Sequence, residues 1–233
     1  MLVLAFDTAT PAVTVALHDG SEVVARESAV DSRRHGELLA PAIAKALAAA
    51  GAAADDLTAI GVGTGPGPYT GLRAGVMTAQ VLGSALHLPV YGICTLDVMA
   101  AQAGRIAGGE FIVATDARRR EVYWARYSKS GERLSPLAVG SPAELPAGYP
   151  MAGDGAMIYA EIGGLSVPGD QVELIEPRYP DAAELAAMVA GRMARGVAPD
   201  PPEPLYLRRP DAREPGKPKR VTPAGPAAKV VTR

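Results

Sequence analysis

A loop rich in glycine and proline, between an apolar segment and a long apolar helix, is the feature that most constrains this fold. It covers residues 61–73, with the sequence GVGTGPGPYTGLR. Its glycines permit backbone angles that other residues resist, and its prolines stiffen the chain. We predict that Thr70 caps a helix at residues 71–86. Two interpretations stay open: the loop binds an anion such as phosphate through its amides, or it is a tight turn that packs the helix against a sheet.

The loop matches neither of two common phosphate-binding motifs. It lacks the Gly-Lys-Ser/Thr ending with which a P-loop places a lysine on the phosphates. A Rossmann fingerprint requires its glycines directly after the first strand, whereas the first strand here, residues 2–6, runs into Asp7-Thr8. We therefore expect neither of these nucleotide sites.

Two segments of the chain repeat the same order of strand, aspartate, hairpin and helix. The first copy has its aspartate at Asp7 and the second at Asp116, 109 positions later. Internal duplication of an α/β unit, with a second copy poorer in helix, is the simplest interpretation, and two unrelated halves are the alternative. The predicted strands are 2–6, 13–17, 22–26, 59–63, 90–94, 111–115, 122–127 and 137–139, with a strand entering a glycine turn at 151–156, and the predicted helices are 37–50, 71–86, 96–106 and 181–195.

Composition narrows the classes of function. A chain of 233 residues with 48% apolar residues can bury one large or two small cores. Its net charge of −2 gives the chain as a whole no electrostatic attraction to nucleic acid. The single cysteine, Cys94, excludes an internal disulfide, and we expect it to be a buried structural residue rather than a nucleophile paired with His87. We expect neither a signal peptide nor a membrane span.

The end of the chain differs from the rest. Residues 213–233 hold six lysines and arginines against one glutamate, together with four prolines. Such a segment is expected to be disordered, and a weaker alternative is an RNA-binding role. We predict three parts: an N-terminal subdomain at 1–107, a C-terminal subdomain at 108–210 and this basic tail at 211–233.

Four motifs together resemble the TsaB (YeaZ) family. They are DTAT at 7–10, GTGPGPYTGLR at 63–73, DAR at 116–118 with EVYW at 121–124, and EPLYLR at 203–208. The resemblance implies the actin/hexokinase/Hsp70-like (ASKHA) fold, with two related α/β subdomains. It implies a cytoplasmic role in making threonylcarbamoyladenosine (t6A) in tRNA, as a partner of the catalytic paralogue TsaD and of the small ATPase TsaE. The tRNA would be met only through the complex.

The resemblance also argues that this chain is not itself catalytic. TsaD-like paralogues carry a His-x-x-x-His metal motif, and Thr95 and Met99 stand at the corresponding positions here. We expect no catalytic residue, no metal and no intrinsic cofactor, although ATP or ADP at an interface with partners stays open. An active ATPase or kinase of the same fold is the alternative. The candidate remnants of a nucleotide site are Asp7, Thr8, Gly65, Gly67, Asp116, Gly153 and Gly155.

The helix at 71–86 is apolar nearly all round, so we expect it to be covered on all sides. Small residues recur on it every four positions, which would let another helix approach closely. Our hypothesis is that this helix and the helix at 37–50 bind TsaD or a second copy of the chain. The predicted interface residues are Leu39, Ile43, Leu72, Gly75, Val76, Ala79 and Gly83.

Overall fold

The computed structural model describes residues 1–161 and 172–208, so the predicted basic tail at 211–233 lies outside the described residues. The strands are β1 (Val3–Asp7), β2 (Ala12–His18), β3 (Val23–Val30), β4 (Ala59–Gly63), β5 (Val90–Ile93), β6 (Phe111–Asp116), β7 (Val122–Tyr127), β8 (Ala138–Gly140), β9 (Met151–Ala152) and β10 (Leu174–Ile175). The helices are α1 (His35–Ala49), α2 (Tyr69–Leu86), α3 (Thr95–Ala103), α4 (Asp154–Glu161) and α5 (Ala182–Ala194).

The first sheet has the strand order β3-β2-β1-β4-β5. The Asp-Gly turn joins β2 to β3, and both β1–β2 and β2–β3 are antiparallel, as the hairpin signal predicts. The pairs β1–β4 and β4–β5 are parallel, because the glycine loop and α2 carry the chain back across the sheet. Every residue of β1 is buried, since β1 lies at the centre of the sheet.

The second sheet repeats this plan with the order β10-β9-β6-β7-β8. Its central strand β6 pairs antiparallel with β7 and parallel with β9, as β1 does with β2 and β4. The two sheets therefore share one topology, which is that of the ASKHA fold, and the predicted α/β duplication is confirmed. In the second sheet the crossover helix between β9 and β10 is α4, which the sequence analysis missed because residues 151–156 were interpreted as a strand and a turn.

Helices cover both faces of the first sheet. Leu4 and Phe6 of β1 point to one face and pack with α1 and α2. Val3 and Ala5 point to the other and pack with α5. The division at residue 107 stays a prediction, because α5, which it assigns to the second subdomain, packs on the first sheet.

The glycine-loop helix differs from its prediction at its first turn. It begins at Tyr69 with Pro68 at the N-cap position and no side-chain capping hydrogen bond. Thr70 lies inside the helix and is exposed, so the prediction of a Thr70 cap is wrong. Proline fits this boundary because its missing N–H is one that the helix start leaves unpaired in any case.

Candidate functional site

Asp7, at the end of β1, is fully buried and turned into the protein. One carboxylate oxygen, Oδ1, accepts the amide of Ala9 at 2.7 Å, and the other, Oδ2, accepts the hydroxyl of Thr95 at 2.7 Å. Burial raises the pKa of Asp7 above its ordinary value, against the opposing effect of these hydrogen bonds. A Cβ at Gly63 would lie 1.8 Å from Oδ2, so only glycine fits beside this carboxylate.

The backbone of Gly65, in the glycine loop, is hydrogen-bonded to Thr95 inside the protein. The amide of Gly65 donates to the hydroxyl of Thr95 at 3.1 Å, and the carbonyl of Gly65 accepts the amide of Thr95 at 2.8 Å. Gly67 lies against the turn after β1, where a Cβ would fall 2.2 Å from the carbonyl oxygen of Ala9. Of the two interpretations left open by the sequence, these contacts favour the tight packing turn.

Thr8 holds the same turn against α2. Its hydroxyl donates to the carbonyl of Gly71 at 2.7 Å, and a Cβ at Gly75 would lie 2.5 Å from that hydroxyl oxygen. The structure therefore brings Asp7, Thr8 and the glycine loop together in a packed arrangement, in which the carboxylate of Asp7 and the hydroxyl of Thr8 are hydrogen-bonded within the protein.

At the equivalent place in the second sheet, Asp116 lies beside an acid that the sequence analysis did not select. Asp154, between Gly153 and Gly155, is fully buried, and its Oδ1 accepts the amide of Asp116 at 3.2 Å. Its Oδ2 has no hydrogen-bond partner among the described residues. Burial raises the pKa of Asp154 to about 6. An aspartate between two glycines after a short strand is the signal that could have identified it.

The turn after Asp116 has an unusual backbone. Arg118, Arg119 and Arg120 all have positive φ angles, at 62, 57 and 61°, in a region that residues with a Cβ rarely adopt. The turn brings the amide of Arg118 to Oδ1 of Asp116 at 2.8 Å and its guanidinium to Oδ2 at 3.3 Å. Arg118 therefore neutralises the more exposed of the two acids at this end of the second sheet.

Between the two aspartate turns lies a small cleft of about 140 Å³. Within it, Nε2 of His35 lies 2.8 Å from the carbonyl oxygen of Thr10. Pockets for ligands of nucleotide size usually measure roughly 300 Å³ or more, so in this conformation the cleft is too small for a nucleotide. Its lining residues are Thr8, Thr10, Pro11, Ser32, His35, Pro68, Thr70, Gly71 and Arg118.

The first turn of α3, where the paralogue's metal motif would lie, is used for packing. Met99 is fully buried in the core of the second sheet, and Thr95 is bonded to Asp7. Asp97 accepts the hydroxyl of Tyr127 at 2.9 Å and the guanidinium of Arg133 at 2.7 Å, which fastens α3 to the second sheet. Among residues 1–161 and 172–208, no three His, Cys, Asp or Glu side chains lie close enough to hold a metal ion.

Cys94 is buried, and burial, reinforced by the nearby charge of Asp97, raises its pKa to about 12. A thiol with this pKa forms almost no thiolate at neutral pH, so it is a poor nucleophile. His87 lies on the surface at the end of α2. These positions agree with the structural role expected for this cysteine.

The seven residues predicted for the partner interface lie in the interior of the protein. All are buried: Leu39, Ile43, Leu72, Val76 and Ala79 pack in the core of the first sheet, and Gly75 and Gly83 lie on the same inner side of α2. A Cβ at Gly83 would lie 2.3 Å from the side chain of Val90. The small residues thus let α2 approach its own sheet, and a partner can reach only the opposite face of the helix.

A comparison with known proteins gives the family. Residues 23–166 match the model of the family described as TsaD, tRNA N6-adenosine threonylcarbamoyltransferase. The tRNA threonylcarbamoyladenosine biosynthesis protein TsaB of Escherichia coli is 34% identical over 225 residues, which cover 89% of this chain and 95% of that protein. The chain belongs to the TsaB family. TsaB of Bacillus subtilis matches a shorter region, at 35% identity over 127 residues, 54% of this chain and 55% of that protein.

Two further relatives and one solved structure are similar to most of this chain. An uncharacterized protein of Mycobacterium tuberculosis is 44% identical over 91% of this chain and 93% of its own length. A similar protein of Mycobacterium leprae is longer, and the match spans 56% of it. The crystal structure of YeaZ from Pseudomonas aeruginosa superposes with a TM-score of 0.71, at 32% identity, over 88% of this chain and 99% of that one.

In the part of the chain that the structure describes, no helix combines the length and the apolar character needed to span a bilayer.

Proposed function

We propose that this TsaB-family chain is a non-catalytic subunit required for t6A modification of tRNA, and that it binds a TsaD-type transferase and, with it, TsaE. In this proposal the tRNA is contacted through the complex. A cytoplasmic location is part of the proposal and is supported by the single, buried cysteine, which offers no disulfide.

The non-catalytic assignment rests on the position of Thr95 and on the hydrogen bonds that its hydroxyl makes. This residue stands where the paralogue has a metal-binding histidine, and its hydroxyl joins Asp7 to the amide of Gly65. A hydroxyl engaged in two buried hydrogen bonds, followed by a fully buried Met99, leaves no ligand pair for a metal. The match to a transferase family model therefore supports shared ancestry and fold, and the side chains at the reacting position argue against the transferase reaction in this chain.

The exposed face of α2 supports the partner part of the proposal. Met77 and Val81 are 50% and 60% exposed, although both are large and apolar. They lie four residues apart on the side of α2 opposite its buried glycines, so they form one apolar strip. Tyr69, 57% exposed and stacked on Tyr206, lies two turns before Met77 on the same side of the helix, with Arg73 between them. Tyrosine and methionine are enriched at protein interfaces, so we propose that TsaD, or a second copy of this chain, covers this strip.

The test of the function is a reconstitution of t6A synthesis from tRNA, threonine, bicarbonate, ATP, the threonylcarbamoyl-AMP synthase, TsaD and TsaE, with and without this chain. We expect modified nucleoside only when the chain is present. Equal product in its absence would refute the proposal. ATP turnover by the isolated chain at about 1 s⁻¹ or more, an ordinary enzyme rate, would support the alternative of an active ATPase or kinase.

The test of the surface is a charge placed on the strip. We expect Met77→Arg and Val81→Arg each to weaken binding to TsaD at least tenfold without lowering the melting temperature, since neither side chain packs in the core. Ile106→Arg is the matched control, because Ile106 is 59% exposed and lies outside α2. Wild-type affinity in both α2 variants would exclude this face as the binding surface.

A further inference from the structure

The chain after α5 runs as an irregular strap, residues 200–208, from the first sheet to the second. At its start the carbonyl of Asp200 accepts the amide of Gly92 at 3.2 Å, and its carboxylate pairs with Arg192 at 2.6 Å. A Cβ at Gly92 would lie 3.0 Å from the carbonyl oxygen of Pro201, so the backbone of the strap rests directly on β5. The start of the strap is therefore fixed on the edge of the first sheet.

The middle of the strap touches the exposed face of α2. The side-chain amide of Gln80 donates to the carbonyl of Pro202 at 3.2 Å. The ring of Tyr206 stacks on that of Tyr69, with 5.6 Å between centroids and 29° between planes. The guanidinium of Arg73 lies over the ring of Tyr69, 4.8 Å from its centre. These residues border the apolar strip, so anything that covers the strip also meets the strap.

The end of the strap reaches the turn between β6 and β7. The amide of Leu205 donates to the carbonyl of Thr64, in the glycine loop, at 2.8 Å. Three residues later, the guanidinium of Arg208 donates to the carbonyl of Ala117 at 3.3 Å and forms an ion pair with Glu121. Both acceptors belong to the turn that contains the left-handed arginines and closes one side of the cleft.

We propose that this strap couples the exposed face of α2 to the turn between β6 and β7, so that loosening either end loosens the other. Each contact alone is weak, because a single hydrogen bond or ring stack contributes little net free energy. Ordering an irregular segment costs conformational entropy at every residue, so the contacts hold only jointly. The coupling is built into this chain and needs no partner. Only its consequence rests on the proposed function: a partner that binds the exposed face of α2 would act on the cleft through the strap.

Hydrogen–deuterium exchange of the isolated full chain tests the coupling. The variant Tyr69→Ala removes the stack, and its readout lies at the far end, at the amides of Ala117 and Glu121, which are hydrogen-bonded within the turn. We expect these amides and that of Leu205 to exchange at least fivefold faster. The reverse variant, Arg208→Ala, is expected to speed exchange at Leu205 and at Leu72, whose amide donates to the carbonyl of Pro68 at 3.1 Å. Tyr69→Phe keeps the stack and is expected to retain wild-type exchange at the turn.

A control variant and an internal reference separate coupling from general instability. Arg105→Ala removes an exposed arginine that pairs with the largely buried Glu184, away from the strap, and is expected to leave all these amides unchanged. Amides of β1 must keep wild-type protection in every variant. Faster exchange confined to the mutated end, or equal acceleration in β1, would overturn the coupling. Neither result depends on TsaD, so failure of partner binding and failure of the strap are distinguished.

Discussion

Because the carboxyl of Asp154 is buried, we predict that it makes the free energy of unfolding depend on pH. Desolvation is the largest influence on it, and the negative charge of Asp116 adds to the effect, while Arg178 opposes it. Together they raise its pKa from 3.8 to about 6. At neutral pH the chain must therefore hold a charge in its interior, on a carboxyl with one oxygen that has no hydrogen-bond partner among the described residues. Replacing this residue by asparagine removes the charge and keeps an acceptor for the amide of Asp116.

The magnitude follows from the pKa. A shift of roughly 2 units, at 1.36 kcal/mol per unit, corresponds to about 3 kcal/mol. Because the folded pKa is raised, the native state of Asp154 binds the proton more tightly than the unfolded state does. Its contribution to stability is thus fully present below pH 4 and is lost as the pH rises through about 6. Asp154→Asn lacks this loss, so relative to wild type it gains about 3 kcal/mol between pH 4 and pH 7.5.

The measurement is urea unfolding of both proteins from pH 4 to pH 7.5, followed by circular dichroism and by the fluorescence of Trp124. The difference between the two free energies of unfolding cancels the titration of groups that do not interact with residue 154. Any fixed cost of the new amide shifts this difference equally at every pH. Asp55→Asn, which alters an exposed carboxylate, is the control. A difference that stays flat over this range would refute the assignment of a buried charge at Asp154.

Three further predictions concern the packed site. Thr95→Val leaves the carboxylate of Asp7 short of a partner, so we expect a loss of about 3 kcal/mol in the free energy of unfolding at pH 7; a loss under 0.5 kcal/mol would contradict the hydrogen-bond network. Gly75→Ala overpacks α2 against its own sheet and should cost about 1–3 kcal/mol, whereas Met77→Ala should cost less than 0.5 kcal/mol; equal costs would argue against the observed orientation of α2. At Arg120, replacement by glycine should give a protein about 1 kcal/mol more stable than replacement by alanine, because φ is positive there; thermal unfolding of the pair decides this.

Much of the fold could be predicted because its signals are local. The strands at 59–63 and 122–127 have the bounds that the sequence analysis assigned to them. Runs of apolar residues between turn signals identify such strands, and the Asp-Gly pair identifies the first hairpin. The short helix α4 was missed because glycines at 153 and 155 resemble a turn, and because the helix is only eight residues long.

The orientation of α2 could not be predicted, since it depends on what lies beneath the helix. Its sequence is apolar on two sides, and small residues on one side suit either a partner helix or its own sheet. The structure packs this side of α2 on its own sheet. Thr8 and Val90 approach the helix so closely there that only Gly75 and Gly83 fit. The strip with Met77 and Val81 is left outside.

The glycine loop resembles a phosphate-binding loop for a reason that the structure makes explicit. Each of three glycines of the loop meets an atom at the end of β1 or in the turn after it: Gly63 meets the carboxylate of Asp7, Gly67 the carbonyl of Ala9, and Gly71 the carbonyl of Thr8. Close approach of one backbone to another demands glycine as strictly as close approach of a phosphate does. A loop with this composition therefore cannot by itself distinguish an active member of the fold from an inactive one. We propose that the distinction lies at residue 95, where the resemblance to TsaD places a metal-binding histidine and this chain has a threonine hydroxyl bonded to Asp7.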